Sequence, residues 1–281
     1  MAIDLHVHST ASDGTDAPGD VVRAAAVAGL DTVALTDHDT TAGWAEAAAA
    51  AREVGVALVP GAEISCRSNG IGVHMLSYLH DPEHPALLAE LALTRDDRVD
   101  RARRMVRHIG ADYDLLWEHV LEHVGDDATV GRPHIADAMV ARGLVASRDE
   151  AFATVLHSGS RYYRPHHAPE AAVVVRAIRD AGGVPVMAHP RAGHRGRLVP
   201  DRVIERLAAV GLGGLEVDHR DHDPADREAL RGLARELGLV VTGSSDYHGT
   251  GKLNRLGEFT TSPEALAAIV EQGTGTPVVR P

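Results

Sequence analysis

The chain has 281 residues, enough for one large domain or for a main domain carrying an insertion. A formal net charge of -12 excludes a broad electrostatic grip on nucleic acid, and the single cysteine, Cys66, excludes a disulfide framework and a thiolate-rich zinc site. Apolar residues at 44% can build a sizeable core, but with aromatics at 3% that core must be Ala, Val and Leu. The 18 His and 40 acidic residues make any metal site one of imidazole and carboxylate.

Residues 2–8 read as a first strand, entered directly from Met1. The N-terminus lacks the basic region and apolar run of a signal peptide, and no apolar stretch is long enough to span a bilayer, so a soluble cytoplasmic protein is expected. Within the strand His6 and His8 are two apart, which turns both imidazoles to one face. They suit a metal arm, or equally a half-buried strand with two polar residues.

A helix over 18–29 follows, with Pro18 in its first turn and Gly29 at its end. Strands are predicted at 31–37, 56–65 and 71–79, with an Ala-rich helix at 41–54. This alternation implies a parallel sheet with helices outside. Residues 86–160 change character. Helical patterns at 85–109, 114–124, 134–142 and 148–156, with no convincing strand, predict a helical insertion between barrel segments 1–85 and 161–281. The alternation then resumes, with helices at 169–181, 200–210, 223–237 and 263–271 and strands at 184–189, 214–217 and 239–244. About seven strands with outer helices favour a barrel over an open sheet.

Polar clusters recur where these strands end or run: His6, His8 and Asp13; Asp37, His38 and Asp39; Glu63; His74; His189; Asp246 and His248. Parallel α/β folds place their sites at such ends. Each cluster has a structural alternative, such as a helix cap at Asp37, a Glu63–Arg67 pair or a satisfied core imidazole at His189. Burying so many ionisable groups together without a cation would be costly.

The blocks His6-Val7-His8 with Asp13, Thr36-Asp37-His38-Asp39, Met187-Ala188-His189-Pro190 and Ser245-Asp246-Tyr247-His248 resemble the PHP (polymerase and histidinol phosphatase) superfamily over essentially the whole chain. More narrowly, Gly131-Arg132-Pro133-His134-Ile135-Ala136, Ala151-Phe152, Tyr163-Arg164-Pro165 and Gly214-Leu215-Glu216-Val217 are similar to the branch acting on nucleoside 3′,5′-bisphosphates and short RNA 5′ ends. Two positions depart from that branch: Arg191-Ala192-Gly193 follows His189-Pro190 where a Gly is usual sooner, and Ser244 stands where a second Gly is usual.

The resemblance implies an α/β fold, a distorted (β/α)7 TIM-like barrel. It implies two to three divalent ions, Mn²⁺ foremost, with Fe²⁺ or Zn²⁺ as alternatives. One would be held by His6, His8, Glu63 and Asp246, a second by Glu63, His74 and His189, and a third by Asp13, His38 and His248. Asp37 is expected to orient a ligand imidazole from behind. His6, His8, Glu63, His189 and Asp246 would carry catalysis. Arg132 and His134, from the insertion, together with Arg191 or Arg195 and with His219 and His222, are the expected substrate contacts.

Charge arithmetic points the same way. Asp13, Glu63 and Asp246 supply three negative charges against six positive from three divalent ions. The surplus favours a compact anion such as phosphate, attacked by a metal-bridged hydroxide whose parent water has its pKa lowered toward ~7. The expected substrate is a 3′,5′-bisphosphonucleotide or a short oligoribonucleotide, with no membrane partner and no extended nucleic-acid interface. The rivals are histidinol phosphatase or another small phosphomonoesterase, and a non-catalytic metal-binding module of a polymerase complex. His80, His84, His108, His119, His123, His157, His166 and His167 are read as bystanders, the Arg95–Arg107 run as a charged helix face, and Cys66 as a small core residue.

Overall fold

The computed structural model describes residues 1–281 apart from 126, 127 and 166 and the side chain of residue 195. Its seven strands stand in chain order: β1 (Ile3–Val7), β2 (Thr32–Leu35), β3 (Ala57–Ser68), β4 (Ile71–Tyr78), β5 (Val184–Met187), β6 (Gly214–Asp218) and β7 (Val240–Gly243). The row curls until its ends meet. Val7 bridges Tyr247 in parallel, and the His8 N–H donates to the Tyr247 carbonyl at 2.8 Å. The expected barrel is therefore present and nearly closed.

The barrel is mixed rather than all-parallel. β3 runs to Ser68 and turns back through Asn69 and Gly70, both at positive φ (50° and 73°), the conformation that an Asn-Gly hairpin requires. β4 is thus antiparallel to both neighbours, β3 and β5. The consequence for the site is direct: His74 lies inside β4, opposite Ser65, and reaches the barrel mouth from mid-strand.

Helices α1 (Pro18–Val27) and α2 (Trp44–Val54) cover one side, packing Val21, Val22, Ala47 and Ala50 on Val33, Leu35 and Leu58. Helices α7 (Ala171–Asp180), α8 (Asp201–Ala209) and α9 (Pro224–Leu237) cover the other, while α10 (Pro263–Gln272) places Ile269 against the inner cluster of Ile3, Leu5, Val59 and Val186. Aromatics being scarce, Tyr78 is the largest fully buried side chain, and its hydroxyl donates to the Leu5 carbonyl at 2.8 Å.

Between β4 and β5 lie α3 (Pro85–Ile109), α4 (Trp117–Leu121), α5 (Arg132–Ala141) and α6 (Arg148–Ala151), with no strand among the described residues. These helices enclose a cluster of their own, including Met105, Ile109, Ile135, Met139 and Leu156. The helix expected at 148–156 changes at Phe152 into a π-helical turn over Phe152–Leu156. A wider turn leaves its carbonyls differently aimed, and the Leu156 carbonyl accepts from Arg132 Nη1 at 2.8 Å.

Candidate metal centre

Glu63 is the hub. It sits midway along β3, 1% exposed, and its two carboxylate oxygens face five imidazoles. Oε1 lies 2.7 Å from His74 Nδ1 and 3.0 Å from His189 Nε2. Oε2 lies 3.3 Å from His6 Nε2, 3.2 Å from His8 Nε2 and 3.2 Å from His38 Nδ1. Asp246 closes the other side, with Oδ1 3.5 Å from His6 Nε2 and 3.4 Å from His8 Nε2. The two-residue spacing of His6 and His8 does bring their Nε2 atoms together, 3.1 Å apart.

Asp13 draws in His248 and, again, His38. Its Oδ1 is 3.3 Å from His248 Nε2 and its Oδ2 is 3.8 Å from His38 Nε2. The loop that carries it is tight. A Cβ at Gly14 would fall 2.6 Å from the His8 carbonyl oxygen, so the turn needs glycine there. Three groups of donors have all their ligand atoms within 4.8 Å: His6, His8, Glu63 and Asp246; His8, Asp13, His38 and His248; and His38, Glu63 and His74. His38 thus faces both Glu63 and Asp13, where the sequence placed it with Asp13 alone.

Backbone strain marks the same places. His189, Asp246 and Asp39, just beyond the ends of β5, β7 and β2, have φ of 29°, 54° and 54°. Non-glycine residues adopt that region at a cost that surrounding structure must over-determine, as functional sites often do.

The electrostatics favour positive charge at the centre. Burial drives His8 toward neutrality, but hydrogen bonds to Asp246 and Glu63 outweigh it and raise the imidazolium to about 9. Burial also works against an ionised Glu63, yet His74, His38 and His6 hold it well below the usual carboxylate range. His38 and His248 are the exceptions: burial holds His38 well below the usual imidazole range, and burial with the nearby charges of Lys252 and His8 lowers His248 to about 4. His38 Nδ1 and His248 Nε2 are buried without a hydrogen bond among the described residues. Paired imidazole nitrogens, carboxylates and unbonded buried nitrogens converging on a few ångströms fit divalent cations, and the absence of thiolate suits first-row ions that accept N and O donors.

The strongest supporting contact escaped the sequence reading. Glu216, fully buried on β6, accepts from His6 Nδ1 at 2.9 Å and from the His189 N–H at 2.7 Å. Burial would raise its pKa, but the charge and hydrogen bond of His6 bring it to about 2. Its carboxylate fixes the His6 tautomer with Nε2 free toward the centre, and it locks the strained His189 backbone. A carboxylate flanked by Leu215 and Val217 in a strand was the available signal. Lys252 was missed as well. It is the sole lysine of the chain, and its Nζ lies 2.9 Å from Asp246 Oδ2. Glu216 removes one unit from the charge arithmetic of the centre and Lys252 returns one.

Among the described residues Asp37 makes no direct hydrogen bond to an imidazole of the cluster. It accepts from the Ser9 N–H (2.8 Å), Ser9 Oγ (2.6 Å) and Ser12 Oγ (2.6 Å), and Ser12 Oγ lies 3.4 Å from His8 Nδ1. His219 is fully buried, 3.6 Å through Nε2 from Asp246 Oδ2. Both His222 nitrogens are engaged, one donating to the Val217 carbonyl (2.8 Å) and the other accepting from the Arg191 N–H (3.1 Å). The Arg191 guanidinium pairs with Asp201. The Arg195 side chain and His166 lie outside the described residues. His134 spends Nδ1 on the N–H of Gly131 at 3.0 Å, capping its own helix. His80, read as a bystander, is buried against Ser77 Oγ (2.8 Å) and the Trp44 ring. Cys66 is 2% exposed, and burial raises its thiol pKa.

The PHP domain family profile matches residues 4–128. A 3′,5′-nucleoside bisphosphate phosphatase of Chromobacterium violaceum is 34% identical over 254 residues, which span 90% of this chain and 89% of that one. The chain belongs to the PHP family. Other relatives are a 5′-3′ exoribonuclease of Haemophilus influenzae, 33% identical over 87% of this chain and 89% of its own, and a phosphoribosyl 1,2-cyclic phosphate 1,2-diphosphodiesterase of Eggerthella lenta, 34% identical over 89% and 95%. Among solved structures, a protein of Bifidobacterium adolescentis described as a metal-dependent phosphoesterase superposes with a TM-score of 0.95 at 42% identity, covering 97% of this chain and 96% of its own. With these relatives and its His/carboxylate centre, the chain is a metal-dependent phosphoesterase of the PHP family. No helix among the described residues is long and apolar enough to cross a membrane.

Proposed function

We propose that the chain hydrolyses phosphate monoesters of nucleotides, 3′,5′-bisphosphonucleotides first, with release of 5′ nucleotides from short RNA as a related activity. The observation that carries this is Glu63, whose two oxygens gather five imidazoles at the mouth of the barrel. The names of the Chromobacterium and Haemophilus relatives support the nucleotide class.

His6, His8, Glu63 and Asp246 would hold one divalent ion, Glu63, His74 and His189 a second, and Asp13, His38 and His248 a third. Mn²⁺ is the first choice, with Fe²⁺ or Zn²⁺ as alternatives. When bound, such ions lower the pKa of a water and draw charge from the phosphoryl oxygens. The chain's own residues do the rest. Glu216 sets the His6 tautomer and Asp37 anchors the Ser9–Ser12 loop beside His8. Water adds to phosphorus, the P–O bond to the sugar breaks, and the sugar oxygen leaves as an alcohol. His189, at Glu63, and His219, at Asp246, would flank a phosphate held there.

The insertion over 86–160 is assigned to substrate. Arg132 and His134 open α5, and Arg132 would meet a second phosphate, since a guanidinium matches phosphate geometry in two hydrogen bonds. Arg191 and His222 are engaged with Asp201 and the Val217 carbonyl, which leaves Arg132 and His219 as the stronger contacts.

Metal-loaded protein assayed on adenosine 3′,5′-bisphosphate, short RNA, a ribose 1,2-cyclic phosphate, histidinol phosphate and an aryl phosphate tests the reading. The bisphosphate should show the highest kcat/KM, and His8→Ala or Asp246→Ala should abolish hydrolysis in a folded protein. A higher kcat/KM on the cyclic phosphate or on histidinol phosphate would overturn it.

A further inference from the structure

The chain holds 28 lysines and arginines, and Lys252 is the one lysine among them. It lies in the segment that follows β7, and its Nζ donates to Asp246 Oδ2 at 2.9 Å. The two ends of this pair differ in exposure: the Asp246 side chain is 1% exposed and that of Lys252 35%. The lysine therefore reaches a buried carboxylate from the solvent side, where a substrate has to arrive.

The loop holds it there. The Thr250 N–H donates to Thr15 Oγ1 at 2.9 Å, the Gly251 N–H to the His248 carbonyl at 3.2 Å, and Asn254 Nδ2 to the Ser245 carbonyl at 2.6 Å. The backbone is thus tied on both sides of Lys252. A Cβ at Gly251 would collide with the Arg148 guanidinium, which pairs with Asp137 of α5, so the lysine springs from a point wedged between barrel and insertion.

Asp246 does not by itself account for the lysine. Its Oδ1 lies 3.5 Å from His6 and 3.4 Å from His8, and its Oδ2 also lies 3.6 Å from His219 Nε2. A divalent ion at Oδ1 would already offset the single charge of the carboxylate. Lys252 then adds a cation to a centre whose ions outnumber its carboxylates in charge, which is unfavourable unless an anion completes the set. An ammonium has the donors for this: three N–H on a rotating head, of which Asp246 takes one. Among the described residues the Lys252 side chain makes no other hydrogen bond. A planar guanidinium would direct a fixed fork at the carboxylate instead.

We propose that Lys252 is a catalytic residue, keeping one N–H on Asp246 and donating another to a non-bridging oxygen of the scissile phosphate at the metal centre. Its charge there stabilises the phosphoryl group in transfer, as fixed cations do at such sites. It gives up no proton in this role. The proposal rests on the reading of the cluster as a metal centre that holds phosphate, and not on which ester is hydrolysed.

The test uses metal-loaded full-length protein with inorganic phosphate and an aryl phosphate, so that no readout depends on a nucleotide. In the wild type, acetylation of Lys252 by acetic anhydride is followed by peptide mass spectrometry against the N-terminal amine. It should slow about tenfold when phosphate is present at about ten times its Kd. Lys252→Met, with its bound metal counted by mass spectrometry, should bind phosphate about tenfold more weakly by calorimetry and lose about 100-fold in kcat/KM on the aryl phosphate. An unchanged phosphate Kd in metal-loaded Lys252→Met would make the lysine a counter-charge to Asp246 alone and overturn the proposal. A labelling rate that phosphate leaves unaltered would overturn it too, and this measurement decides the matter if Lys252→Met does not fold or hold metal. A bisphosphate that is not the preferred substrate would overturn the proposed function and leave both of these readouts standing.

Discussion

Replacing Glu216 by Gln isolates what a buried carboxylate contributes to a centre it does not itself bind. The side chain accepts two hydrogen bonds, from His6 Nδ1–H and from the His189 N–H, and Gln can accept only one of them. If its amide oxygen keeps the His189 N–H, its NH₂ faces His6 Nδ1. The imidazole must then carry its proton on Nε2, the atom that points at Glu63, His8 and Asp246. If the amide oxygen keeps His6, two donors oppose each other at His189, whose φ of 29° already needs support. Either arrangement penalises one of the two imidazoles proposed as ligands. Loss of such an outer partner lowers metal affinity by about 10- to 100-fold, or about 1.4 to 2.7 kcal/mol. Titration calorimetry with Mn²⁺ on chelator-stripped wild type and Glu216→Gln, with bound metal counted by mass spectrometry, reads this directly. Metal affinity within twofold of wild type would refute the tautomer argument, whatever happens to the rate.

Two further predictions concern stability. Asp39→Ala removes the only partner carboxylate of the buried Arg98 guanidinium among the described residues, and should cost about 3 to 5 kcal/mol in urea unfolding. Asp39→Asn, which tolerates the φ of 54° there, should cost less; equal losses would mean that the backbone conformation carries no strain. His80 is fully buried, and burial lowers its pKa from 6.5 to about 4. Between those values the unfolded chain takes up a proton that the folded chain refuses, so stability falls as pH drops below 6.5 and is unaffected above it. The loss from pH 7.5 to pH 5 should be about 2 kcal/mol, and His80→Gln should flatten the profile by that amount. Parallel profiles for the two proteins would show that His80 does not titrate in this way.

Much of this architecture is legible along the chain because its causes are local. Helix 85–109 begins at Pro85 and ends at Ile109, as its pattern predicts, since an N-terminal proline and a 3.6-residue repeat act within a few residues. His6 and His8 share a face because strand period is two, and their Nε2 atoms do meet. The reversal of β4 was also written locally, in Asn69-Gly70, but was obscured by the simpler alternation of strand and helix. Helix 148–156 shows the limit of such patterns: period alone does not separate an α-turn from the π-turn that begins at Phe152.

By itself the sequence determined the order of the elements, the strand ends that carry the His and carboxylate cluster and the donor types found in it, because residue type and short spacing are properties of the chain. Tertiary structure alone decided which atoms meet. Glu216 reaches His6 across 210 residues, His222 is consumed by its own surroundings, and Arg101 leaves a charged helix face to stand beside Arg132 and Tyr163. Strand register and helix packing set those encounters, and both follow from the summed contacts of the whole core rather than from any one segment.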